Sequence, residues 1–301
     1  MNAFWIILTG SLVAVTCSLL GCFLVLRRMA MVGDAISHAV LPGIVIAFLL
    51  SGGRDSIPML VGAGLLGILS TFLIEFFHTK VKLQTDASIG VTFTWLFAMG
   101  VILISLFARQ VDLDQDCVLY GEIAYVPLDV LLTPAGLNLG PKAVWLMGSI
   151  LLIIIFFITT FFKELFITTF DAAFARSVGY SVTLWHYLLM GSVSLTTVAS
   201  FESVGAILVV AFLTVPPATA YLLTHKLGPM LWISSLAGII SAVAGFYLAY
   251  WLDGSIAGAM ATVSGGLFGL ALLFSPQQGI LRKKIARRPA SPQTSPATGL
   301  V

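Results

Sequence analysis

Met31-Val-Gly-Asp-Ala-Ile-Ser-His-Ala-Val-Leu-Pro-Gly43 sets an acid and an imidazole four residues apart inside an apolar run. In a helix that spacing puts both side chains on one face, with Cβ atoms roughly 5–6 Å apart. A carboxylate oxygen and a ring nitrogen so placed can share one divalent cation, which makes Asp34 and His38 candidate metal ligands. Pro42 has no N–H, so the carbonyl of His38 loses its helical partner and the helix is expected to bend there. A simpler reading stays open, with Asp34 as an N-cap behind Gly33 and His38 as a packed core histidine. The setting favours the first. Charges at the bilayer centre cost about 2.5–3.5 kcal/mol, and ionisable residues inside a membrane segment default to pathway roles.

That the run is intramembrane follows from composition. The chain has 301 residues, 59% hydrophobic and only 9% charged, against about 25% charged in a soluble domain. It reads as an all-α polytopic membrane protein. A helix needs about 20 apolar residues to cross the hydrocarbon core. Spans are expected at 4–26, 31–51, 57–77, 88–108, 143–162, 183–200, 204–223, 228–251 and 255–274. The sixth is diluted by Ser192, Ser194, Thr196 and Thr197, so the expectation is eight or nine transmembrane helices. The stretch 117–132, interrupted by Glu122, Pro127 and Asp129, is placed outside the bilayer as a short surface helix.

Basic residues set orientation. If the loops after spans 1, 3, 5 and 7 and the C-terminus are cytoplasmic, that side collects twelve of the fifteen Lys and Arg, leaving Arg54, Arg109 and Lys142 outside. The N-terminus is then outside and the C-terminus inside. The outer side is acidic, and Asp112-Leu-Asp-Gln-Asp116 either draws cations toward an entrance or is a solvated loop.

Helix-breaking and packing signals recur later. Pro216-Pro217 frees the carbonyls of Phe212 and Leu213 and is expected to break the seventh span. Gly254-x-x-x-Gly258 and Gly265-x-x-x-Gly269 suit close helix packing, within the chain or at a dimer seam. On the cytoplasmic connection 163–182, Asp171 suits the cap of a short helix favoured by Ala172, Ala173 and Ala175 and ended by Gly179. Such a helix is either a docking knob for another protein or an interfacial helix. Residues 1–277 form the transmembrane domain, and the basic, Pro- and Ser-rich 278–301 is expected to be a disordered cytoplasmic tail.

Enzyme chemistry is not legible. The sequence has no P-loop, no His-Glu-x-x-His and no Gly-x-Ser-x-Gly. Cys17, Cys22 and Cys117 form no metal or redox motif. His78, His186 and His225 fall at or near cytoplasmic ends and read as interfacial residues.

Gly33-Asp-Ala-Ile-Ser-His-Ala-Val-Leu-Pro-Gly43 closely resembles the early motif of the bacterial ABC permeases that import manganese, zinc or iron, the ABC-3 family. Val204-Gly-Ala-Ile-Leu-Val-Val-Ala-Phe-Leu-Thr-Val-Pro-Pro-Ala-Thr-Ala220 resembles that family's second signature, and Asp116-Cys-Val-Leu-Tyr-Gly-Glu-Ile123 is similar to its manganese-leaning branch. The resemblance implies an importer permease of the metal/siderophore (type II) kind in the bacterial inner membrane. Its metal site would fall on Asp34 and His38, with Pro42, Pro216 and Pro217 along the pathway. Asp171, Ala172, Ala173, Arg176 and Gly179 would lie in the coupling helix that enters the ATPase. It further implies a second permease, a copy or a paralogue, cytoplasmic ABC ATPase subunits that hydrolyse the ATP, and an extracytoplasmic metal-binding protein. Nucleic acid has no part. Mn(II), Zn(II) or Fe(II) would be cargo, with no cofactor bound permanently. Two alternatives from the residues alone are an ion-gradient-driven carrier and a type II permease for a metal chelate.

Overall fold

Apolar on every side, the first helix has no face to give to water, and most of it is buried in the bundle. The computed structural model describes residues 2–51, 56–107, 122–132 and 138–275. The helices are α1 (Asn2–Leu26), α2 (Val32–Ala39), α3 (Leu41–Ser51), α4 (Ser56–Thr79), α5 (Thr85–Phe107) and α6 (Lys142–Thr160). They continue with α7 (Phe162–Phe170), α8 (Ala172–Ser177), α9 (Val182–Val204), α10 (Ala206–Leu223), α11 (Leu227–Leu252) and α12 (Ile256–Phe274). Among the described residues, nine segments are long and apolar enough to cross a membrane, with Val32–Ser51 counted as one span. The acidic run Asp112–Asp116 and the tail 278–301 lie outside the described residues.

Around α1 the bundle has two sides. Val13, Ala14, Cys17, Leu20 and Phe23 of α1 have no exposed surface, and they are covered by α6, α9, α10 and α11. The helices α10, α11 and α12 close on one another, and α2, α3, α4 and α5 make a second group. Bridging the two is α9, which touches α1, α2, α4 and α10. Its diluting polar residues have a packing reason: Ser194, Thr196, Thr197 and Ser200 are fully buried between helices, and a Cβ on Gly67 of α4 would strike Ser194 Oγ. Small polar residues are the usual means of close helix approach in membranes.

Outside the bundle, residues 122–132 and 138–141 form a cap. A 3-10 helix (Ile123–Leu128) precedes an antiparallel pair, β1 (Val130–Leu132) and β2 (Asn138–Pro141). Ile123 and Val126 are buried against α1, and Gly140, at φ +88°, lets the backbone pass Trp5, where a Cβ would sit 2.7 Å from the indole. The short surface helix was legible; the strand pair was not.

One expectation about helices is corrected and another is narrowed. Pro216 and Pro217 do not break their helix: α10 runs unbroken from Ala206 to Leu223 with both rings inside it. The two lost N–H donors are tolerated because α10 is backed by a neighbour. Gly21 of α1 comes so close that a Cβ there would collide with the freed Leu213 carbonyl and lie 2.7 Å from Pro217 Cγ. Of the two readings of the Gly-x-x-x-Gly pairs, packing within the chain is not what the described residues show, and a dimer seam stays open. A Cβ on Gly254, Gly265 or Gly269 would meet nothing within 4 Å, and on Gly258 only Ser255 of its own turn. Close approach is made instead at Gly43 with Gly62, and at Gly245 with the Met260 backbone.

Gly265→Ala therefore replaces an exposed helical glycine with a better helix former, worth roughly 0.5–1 kcal/mol. The melting temperature of the detergent-solubilised chain should hold or rise. A drop of several degrees would show a packing role.

Candidate metal site on helix α2

Eight residues make α2, and six of them, Val32, Gly33, Ala35, Ile36, Ser37 and Ala39, are buried. Asp34 and His38 are the two that turn outward, with 38% and 41% of their side-chain surfaces exposed. The simpler reading of both residues fails here. Met31 occupies the N-cap position, Asp34 lies inside the first turn, and His38 is open in the last. Both placements also suit the helix dipole, acid at the start and imidazole at the end.

The helix is anchored from behind. Leu213 of α10 covers Gly33, where a Cβ would sit 2.7 Å from Leu213 Cδ1. Below the pair, the backbone ladder is interrupted. Val40 keeps near-helical dihedrals, φ −77° and ψ −16°, but α3 restarts at Leu41 with Pro42 as its second residue. The His38 carbonyl has no proline N–H to meet.

His38 Nε2 lies 3.7 Å from Asp34 Oδ1. That is too long for a hydrogen bond. A cation about 2.1 Å from each atom, an ordinary transition-metal distance, would bridge them at an angle of about 120°. The imidazole is steadied by two rings of α5 that sequence reading missed. Phe97 meets it edge-on, centroids 5.5 Å apart at 85°, and Phe93 lies at 5.9 Å and 37°. Their own i, i+4 spacing was the available signal. Such ring pairs are worth about 0.5–1.5 kcal/mol and restrict where Nε2 points. Among the described residues no three His, Cys, Asp or Glu gather as a metal-binding group, so at this face the described residues offer a cation two ligands.

The other predicted residues are built elsewhere, on the connection between α6 and α9. Asp171 Oδ1 accepts from the N–H groups of Ala173 (3.1 Å) and Phe174 (2.8 Å), capping α8 over Ala172 and Ala173. The far end closes on Gly179 at φ +94°. There the Tyr180 N–H meets the Ala175 carbonyl at 2.9 Å and the Gly179 N–H meets that of Arg176 at 3.1 Å, the paired bonds of a Schellman stop. Both ends of a six-residue helix are thus fixed by its own sequence. Phe174, Val178 and Arg176 stand exposed, and Ala175 alone is buried.

Comparison with known proteins follows the same lines. The profile of the ABC 3 transport family matches residues 2–275. The manganese transport system membrane protein MntD of Bacillus subtilis is 52% identical over 281 residues, 93% of this chain and 95% of that protein. The zinc transport system membrane protein TroD of Treponema pallidum is 45% identical, covering 94% of this chain and 77% of that protein. Among solved structures, PsaBC from Streptococcus pneumoniae in complex with Fab superposes with a TM-score of 0.74 at 31% identity, covering 93% of this chain and 94% of that one. An inward-facing putative metal-chelate type ABC transporter shares the fold, with a TM-score of 0.63 at 17% identity. With nine membrane-crossing segments and a profile match from the first helix to the last, the chain belongs to the ABC 3 transport family as a membrane-spanning permease subunit.

Proposed function

We propose that this permease passes a bare divalent transition-metal ion into the cell, Mn(II) foremost and Zn(II) or Fe(II) next, by way of Asp34 and His38. The observation that carries this reading is the outward turn of that pair, 3.7 Å apart, from a helix otherwise buried. A carboxylate left facing lipid would be costly. A second permease, a copy or a paralogue, covers the face and brings two further ligands, so that the pathway holds two carboxylates and two imidazoles. That oxygen and nitrogen set suits Mn(II), Fe(II) and Zn(II). Among the described residues the cysteines, Cys17 and Cys22, are buried in the core and bring no thiolate to the pair. The names of the relatives, manganese and zinc transport systems, agree with this donor chemistry.

Energy comes from separate cytoplasmic ATPase subunits, which dock on α8 through Asp171, Ala172, Ala173, Arg176 and Gly179. An extracytoplasmic binding protein delivers the ion. The charge bias of the loops supports a bacterial inner-membrane protein with N-terminus outside and C-terminus inside. The permease body is residues 1–277, followed by a basic cytoplasmic tail.

Proteoliposomes holding both permeases and the ATPase test this. Uptake of radiolabelled Mn(II) should require ATP, survive collapse of the proton gradient, and be competed by Zn(II) but not by a metal chelate. Asp171→Arg removes the cap of α8, worth about 1 kcal/mol, and reverses the charge at the docking face. It should lower ATP-driven uptake about tenfold or more. Competition by the chelate alone would mark a chelate permease instead.

A further inference from the structure

Arg27 stands one residue beyond α1, where the sequence shows only a topology-setting charge. In the fold its guanidinium turns inward. Nε donates to Thr169 Oγ1 at 3.1 Å and Nη2 to Thr168 Oγ1 at 3.2 Å. Thr168 spends its own proton on the Glu164 carbonyl at 2.8 Å, so its hydroxyl offers Arg27 lone pairs only. Burial, the larger cause, pushes the guanidinium down to about 10 against the pull of Glu75, which still leaves it charged at neutral pH.

Nη1 of Arg27 lies 3.3 Å from His186 Nδ1. Arginine has donors alone, so Nδ1 accepts and the ring proton sits on Nε2. Nε2 is 3.1 Å from Glu75 Oε2 and donates to it. A cation, a neutral imidazole and a carboxylate thus form one directed chain, and its inner members are shielded, His186 with 14% and Glu75 with 17% of the side chain exposed. Each link orients the next, so the group acts as a unit. His186 is packed within the protein rather than left to solvent.

The positions joined matter more than the bonds. Thr168 and Thr169 belong to α7, three and two residues before the Asp171 cap of α8; His186 lies on α9 and Glu75 on α4. Both α4 and α9 pack directly on α2. We infer that Arg27, His186 and Glu75 are the mechanical link that delivers movement of α8 to α4 and α9, and through them to the metal-bearing face of α2. Coupling of this kind travels through hydrogen-bonded groups held on rigid elements. The inference rests on α8 being the ATPase-docking segment. The three are positioning residues, and none touches the ion.

The test uses the assembled importer in proteoliposomes, with Mn(II) uptake and ATP hydrolysis measured together. Glu75→Gln keeps the shape and removes the charge. Thr169→Val removes one acceptor and strands no buried charge. Each should lower ions moved per ATP about fivefold, the worth of one net hydrogen bond, while Mn(II) bound per complex and ATPase co-purified stay within about twofold. A mere folding defect lowers all of these together. An unchanged ratio in Thr169→Val, and in such Glu75→Gln complex as assembles, overturns the link. If the wild-type permease recruits no ATPase, or Asp171→Arg transports normally, it is the docking reading of α8 that falls.

Discussion

Mn(II) uptake by an importer carrying Asp34→Ala should fall at least about a hundredfold, and His38→Ala should do the same. Removing even an outer-shell partner of a metal ligand typically costs 10–100-fold, and each substitution removes a direct ligand, two at once where the second permease is a copy of this chain. Stability should be spared in Asp34→Ala and lowered in His38→Ala by no more than its two ring contacts, about 0.5–1.5 kcal/mol each. Both side chains lie on the open face of α2 and take no part in the buried set of Val32, Gly33, Ala35, Ile36, Ser37 and Ala39, so the purified Asp34→Ala subunit should melt with wild type and the His38→Ala subunit should remain folded. Asp34→Asn, which keeps an oxygen ligand and loses the charge, should fall between. Uptake within threefold of wild type in both alanine variants would remove these residues from the pathway, whatever the fate of the family assignment.

The largest loss of stability is expected from Gly21→Ala. The added methyl would run into the Leu213 carbonyl and stand 2.7 Å from Pro217 Cγ. Neither obstacle is a flexible side-chain end; one is backbone and the other a ring inside a buried helix. Overpacking usually costs about 1–3 kcal/mol when neighbours can give way, and here they cannot without parting α1 from α10. Native domains hold only about 5–15 kcal/mol in total. Gly21→Ala should therefore lose most of its folded yield in detergent, with Gly265→Ala as the control that changes a glycine without cost. Equal yields and melts for the two would mean α1 and α10 stand farther apart than the structure places them.

Much of this was legible in the linear sequence because membrane spans announce themselves by length and composition. The expected 143–162 and 228–251 differ only at their ends from Lys142–Thr160 and Leu227–Leu252. The Asp34–His38 face was legible for an equally local reason, since a four-residue offset in a helix fixes a shared side. Asp171 and Gly179 carried their roles in residue type, one an acceptor for bare N–H groups and the other free to take a positive φ. What failed was whatever depended on the opposite surface. Gly265-x-x-x-Gly269 offers a smooth groove, but the pattern does not say whether a helix lies in it. Pro216-Pro217 lowers the backbone bonding of α10, but the pattern does not reveal that α1 shores it up. The Arg27–His186–Glu75 chain joins residues 27, 186 and 75, and each alone has a plainer explanation.

The glycine contacts say which motions are open to the bundle. Gly21 seats α1 on α10, Gly43 and Gly62 seat α3 on α4, Gly67 seats α4 on α9, and Gly245 seats α11 on α12. At each seat a slip of one residue would drive a larger side chain into a neighbour with no space for it. A piston stroke of a single helix would have to open its seat first, whereas helices joined at a seat can tilt together without disturbing it.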